Sequence, residues 1–211
     1  INFSSALLQA STGFGYAMVA MALMPLFLPM STCSAISAVT VVAIGLQMSL
    51  KLRKHLRIRT IVMPLIGCMT TINAGLILLE NCNELTLRII LASLLVLVTG
   101  LFFFMRVRKI TLPDKWYVGL IAGMITGLST GMFNIVGPFL LVYYMNVCDD
   151  TLHMKASLEF SFLLSGIYST LMHLFVYHNI TWSNSPHIAG SVAAAMVAGI
   201  IGLKLYRKCN K

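Results

Sequence analysis

Two short stretches place hydrogen-bond donors beside helix breakers inside otherwise apolar sequence. The first, STGFG, supplies the hydroxyls of Ser11 and Thr12 with the glycines Gly13 and Gly15. The second, STGMFNIVGP, supplies Ser129, Thr130 and the Asn134 carboxamide with Gly131, Gly137 and Pro138. Hydroxyl and amide donors, next to glycines that permit close backbone approach, suit recognition of a small oxyanion. A helix that restarts after a break adds its own free N–H groups and the positive end of its dipole. One carboxylate, Glu159, also lies in an apolar stretch. It stands one turn after Lys155, which admits a local ion pair, and its place in an apolar segment makes it a candidate for proton coupling.

No catalytic residue is indicated. The chain has no HExxH, GxSxG or P-loop and no intramembrane carboxylate pair, so it does not read as an enzyme. Cys33, Cys68, Cys82, Cys148 and Cys209 show neither CxxC nor Cys/His spacing, so no disulfide framework, metal site or cofactor is implied. The net charge is +9. It falls in short clusters at 51–59, 106–109 with Lys115, and 204–211, not in a stripe suited to nucleic acid. Such clusters beside apolar segments mark the cytoplasmic side of a membrane, with anionic-lipid recognition as the alternative use.

The elements that must position these groups are apolar helices. Of 211 residues, 58% are hydrophobic and 10% charged, against about 25% charged in a soluble domain. Apolar segments fall at about 1–29, 33–50, 60–79, 85–105, 116–147, 155–176 and 186–205. The expectation is therefore an all-α, polytopic membrane protein of about seven helical segments, in the cell membrane. Continuous rather than alternating runs argue against strands. The 116–147 segment would measure roughly 48 Å as one helix, too long for one crossing and too short for two. Pro138 removes an amide from the ladder and Gly131 and Gly137 weaken it, so two shorter helices are predicted there.

The two broken segments open parallel halves of the chain. STG recurs at 11–13 and 129–131, and HLRIRTIVMPLIG (55–67) lines up with HNITWSNSPHIAG (178–190). We read residues 1–110 as a first half, incomplete at its start, and 111–211 as a second, lacking a last helix. The 51–59 loop is basic and its counterpart 177–185 holds no lysine or arginine, which suggests inverted repeats. If the 106–115 loop and the tail both face the cytoplasm, parity favours a hairpin at 116–147 that enters and leaves on one side. The alternative is a single broken, tilted crossing with the tail outside.

Other polar and small residues have structural readings. Gly119, Gly123, Gly127 and Gly131, like Gly190, Ala194, Ala198 and Gly202, recur every four residues and predict close helix packing. Gly131, Asn134 and Gly137 divide between packing and lining a site. Gln47 and Asn73 are expected to join helices by hydrogen bonds, or else to face a cavity. His173 is expected at the interface, and Trp116 and Trp182 as headgroup-level anchors.

QASTGFGYAMVAMALMPLFLP resembles the opening signature of the TauE/SafE sulfite exporter family, and GLSTGMFNIVGPFLLVYY resembles its second copy. The resemblance covers nearly the whole chain. It implies a multi-pass transporter associated with sulfite, organosulfonates or related sulfur compounds, with the bilayer and a small anion as partners and a homo-oligomer as an open option. The implied substrate region is Ser11 to Gly15, Phe14 included, with Thr130 to Pro138. Asn134 and Val136 stand where the family often has glycine. A passive anion channel and a non-transporting membrane scaffold are the rival readings.

Overall fold

The structure, a computed structural model, describes residues 1–107, 113 and 115–209. Parts of the basic 106–115 loop and the end of the tail lie outside the described residues. The described chain is helical throughout: α1 (Asn2–Thr12), α2 (Tyr16–Leu23), α3 (Met30–Leu52), α4 (Ile58–Asn81), α5 (Glu84–Val107), α6 (Trp116–Phe133), α7 (Gly137–Val147), α8 (Thr151–Phe175) and α9 (Ser185–Cys209). Among the described residues, six helices are long and apolar enough to cross a membrane. The sequence led us to expect about seven. The difference arises at 1–29, where the Gly13–Gly15 break leaves only the short helices α1 and α2, each less than a bilayer in length.

Both expected interruptions are present, and each has a local cause. α1 stops because Gly13 takes φ 96°, a left-handed conformation that glycine adopts without a Cβ penalty, and its N–H bonds Gln9 O at 2.7 Å. α6 stops at Asn134, φ 55°, whose N–H bonds Thr130 O at 2.7 Å. Asparagine is among the few non-glycine residues that tolerate this region. Pro138 then sits in the first turn of α7, where no helical N–H is required of it. Hydroxyls complete the exposed backbone. Thr12 Oγ1 lies 2.8 Å from Phe14 O, and Ser129 Oγ lies 2.8 Å from Ile135 O. Irregular backbone in lipid persists only when its polar groups are met inside the protein.

Each break turns the chain back on itself. Tyr143 of α7 packs against Gly119 near the start of α6, so close that a Cβ on Gly119 would lie 2.9 Å from its hydroxyl. Arg57, before α4, forms an ion pair with Asp149, after α7. A surface cleft brings Arg57 and Arg59 together with Trp116, Val147 and His153. α6 and α7 thus leave and rejoin one face of the bundle, the face that carries the basic 51–59 loop, as a hairpin. At the opposite face, Ile1, Asn2, Met24 and Phe27 line one cleft with His187 and Ser191. The α1–α2 pair is therefore a second hairpin, entering from the other side.

Two parallel helix pairs flank a central antiparallel one. α4 runs parallel to α6, matching Pro64 with Gly123, Cys68 with Gly127 and Ile72 with Gly131. α1 runs parallel to α9, matching Asn2 with Ser191 (2.6 Å) and Ala10 with Gly202. Between them α3 crosses α8 antiparallel, with Ser34 bonded to His173 at 3.3 Å near one end and Gly45 against Leu163 near the middle.

The α6 ridge of glycines packs as its spacing predicts. The α9 ridge does so only at Ala198 and Gly202: a Cβ at Gly190 would meet nothing within 4 Å, and the buried stripe is Ser191, Ala195, Ala198, Gly199 and Gly202. The i, i+4 reading slips there because a straight helix face drifts relative to a strict four-residue step. Gln47 and Asn73 do join helices, to Met196 O at 3.4 Å and to Tyr168 Oη at 2.8 Å. His173 lies near the end of α8 but is fully buried, not at a lipid interface, because Ser34 and Asn179 hydrogen-bond its ring. Trp116 and Trp182 are exposed near helix starts.

Candidate functional site

The two breaks meet. A narrow cavity of about 10 Å³, room for about one water molecule, is lined by Gly15, Ala17 and Met18 from the start of α2, and by Asn134, Ile135, Val136, Gly137 and Pro138 at the start of α7. Gln9 of α1, Val41 of α3 and Phe162 of α8 close its sides. The first-turn amides of a helix have no partner within that helix. Here the first turns of two helices, reached from opposite faces, border the same space, and their dipoles place partial positive charge at it.

Four of the sequence candidates line this cavity: Gly15, Asn134, Gly137 and Pro138. The others support the breaks. Ser11 Oγ donates to Leu8 O at 2.9 Å and Thr12 Oγ1 bridges Leu8 O and Phe14 O. Ser129 and Thr130 hydroxyls meet backbone carbonyls of their own segment. Gly13 lies against the Lys155 side chain, where a Cβ would stand 3.3 Å from its Cγ. Phe14 packs on Gly137 and on Phe102 of α5, ring centroids 5.4 Å apart. Gly131 belongs to the α4 contact, next to Ile72 and Gly75.

Asn134 is the polar centre of the cavity wall. Its side chain is fully buried, and among the described residues neither Nδ2 nor Oδ1 has a hydrogen-bond partner. Leaving such groups unmet costs about 1–3 kcal/mol, so this carboxamide is poised for something that the rest of the fold does not provide.

Behind the cavity lie two buried ionisable side chains, Lys155 and Glu159. Lys155 Nζ donates to Ala10 O at 2.9 Å, in the last turn of α1 where carbonyls lack helical partners. Gln9 Nε2 donates to Glu159 Oε2 at 3.2 Å, while Oε1 has no hydrogen-bond partner among the described residues. Both side chains also hold α1, Lys155 through its backbone and Glu159 through Gln9. Gln9 and Lys155 were not picked from the sequence as site residues. Gln9 could have been, as the last long polar side chain before the Gly13 break. Val41 and Phe162 carry no signal, because the α3–α8 crossing alone brings them in. Among the described residues no cluster of His, Cys, Asp or Glu is suited to hold a metal.

A multi-pass membrane protein with two interrupted helices converging on one cavity is the class this fold defines. The chain matches the family described as Sulfite exporter TauE/SafE over residues 2–211, essentially its full length, and it belongs to that family of membrane transporters. No curated protein and no solved structure matches it.

Proposed function

We propose that this protein carries a small anion across the membrane by alternating access, binding it where α2 and α7 begin. The observation that carries this reading is the shared cavity: two half-helix N-termini, from hairpins entering opposite faces, border one space beside the Asn134 carboxamide. Anions are favoured at such termini by free amides and by the dipole. We read the halves 1–110 and 111–211 as inverted repeats, in line with the two parallel helix pairs α4–α6 and α1–α9, and the face bearing the 51–59 cluster as cytoplasmic. Rocking of one half against the other would open the cavity to each side in turn.

Substrate contacts are assigned to Gly15, Asn134, Gly137 and Pro138 and to the first-turn amides. Ser11, Thr12, Gly13, Phe14, Ser129 and Thr130 hold the shape of the breaks, and Gly131 sets the α6 register. Glu159 is proposed as the coupling group, since it is buried and reaches the cavity through Gln9.

Flux into proteoliposomes with sulfite, sulfate, sulfonates and carboxylates in competition tests the reading. A carrier saturates and shows counterflow. Conductance without saturation supports a passive channel instead. Absence of transport, with Gly137→Leu tolerated, supports a scaffold.

A further inference from the structure

We infer that Asn134 makes this cavity selective for small oxyanions that carry a hydrogen-bond donor of their own, such as hydroxyl- or amino-bearing anions, over anions that only accept. The inference deepens the transport reading above and rests on it.

A carboxamide is two-sided: its NH₂ donates and its C=O accepts. Asn134 lines the cavity, and among the described residues both polar atoms of its side chain are buried without a partner, so it brings one donor and one acceptor to that wall whichever way the amide is turned. The remaining polar wall is uneven. The first turns of α2 and α7 present only donors, and an anion with acceptor oxygens alone would satisfy them together with Nδ2. It would leave Oδ1 unmet and facing negative charge. An anion bearing an O–H or N–H beside its oxyanion group satisfies both ends of the amide. Gln9 adds to this asymmetry, because its Nε2 is directed to Glu159, leaving its own carbonyl oxygen as the other amide acceptor on a residue that lines the cavity. A site built to bond a substrate hydroxyl discriminates strongly against the analogue that lacks it, since its buried polar groups then go unpaired.

The backbone offers a bland account of Asn134, since asparagine tolerates the left-handed φ of 55° at the end of α6. That account predicts that glycine would serve equally well in every respect. It does not explain a carboxamide whose two polar ends are both without partners among the described residues.

Matched pairs separate the two accounts. Uptake of radiolabelled hydroxymethanesulfonate and methanesulfonate, and of glycolate and acetate, is measured in proteoliposomes of the full chain and of Asn134→Gly. Glycine accommodates the same backbone, and the melting temperature in detergent checks that the variant is folded. The wild type is expected to show a KM about tenfold lower for the hydroxyl-bearing member of a pair, and Asn134→Gly to lose that preference. Equal KM values in the wild type, or a preference that survives in Asn134→Gly, overturn the inference. Wild-type uptake of sulfite without discrimination in either pair overturns it while leaving the transport reading intact. Uptake of no anion removes both.

Discussion

The Lys155 ammonium donates to Ala10 O at 2.9 Å, bonding the long helix α8 to the final turn of the short helix α1. Lys155 is buried, and its methylenes cover Gly13 at the break itself. One side chain therefore holds the end of α1 in place and shields the turn into α2.

Replacing Lys155 with Met preserves most of the apolar stem and removes the donor. A buried carbonyl left unmet costs about 1–3 kcal/mol, so Lys155→Met is expected to lower the melting temperature in detergent and to reduce anion flux. Unchanged values of both would show that this bond does not hold the α1–α2 hairpin.

The glycine ridge of α6 gives a sharper contrast. At Gly123 a Cβ would run into the Pro64 carbonyl of α4, whereas at Gly190 it would meet open space. Gly123→Ala must separate two backbones and is expected to prevent stable folding or to lower the melting temperature strongly. Gly190→Ala is expected to be neutral or to stabilise by about 0.5–1 kcal/mol through helix propensity. Thermal unfolding of the two variants side by side checks this.

Much of this architecture is legible in the sequence. The breaks at 11–15 and 129–138 follow from glycine, asparagine and proline in apolar runs, and the same-side hairpin follows from counting crossings between basic loops. The recurring STG does not mark where the two helices stop. STG pairs Gly13 with Gly131, but in the fold α1 ends at Thr12 and α6 at Phe133, so Gly13 corresponds to Asn134. The two share left-handed backbone, with φ 96° and 55°. Identity of letters misled because the shared property is a dihedral angle, which glycine and asparagine can both supply. The roles of Ser129 and Thr130 were equally hidden. Hydroxyl type suggests a ligand contact, but a helix that stops inside a membrane has its own carbonyls and amides to satisfy first.

Glu159 is the carboxylate within reach of the cavity, through Gln9. Glu159→Gln keeps the shape and the bond to α1 while removing the titratable proton. Flux driven by a pH gradient is expected to be lost in this variant, with counterflow of substrate retained. A pH dependence identical to that of the wild type would remove Glu159 from coupling.

Asp150 opens α8 by accepting from the His153 N–H at 2.6 Å, and that bond holds its carboxyl below the usual carboxylate range. A depressed folded-state pKa means the stabilisation is complete above the unfolded value of about 3.9. It fades as the pH falls through the folded value. Asp150→Ala is expected to lower the melting temperature at neutral pH and to narrow its difference from the wild type under strong acid. A difference that stays constant with pH would contradict the cap.

The central claim is that the two interruptions border a water-reachable anion pocket inside the bilayer. It is tested most directly by Val136→Cys in a chain whose native cysteines are replaced, labelled with a small charged thiol reagent in proteoliposomes. Val136 is 3% exposed and lines the cavity between the breaks. The account predicts labelling that transported anion slows in a saturable way. A thiol that never reacts, or one whose rate ignores every anion, would contradict it.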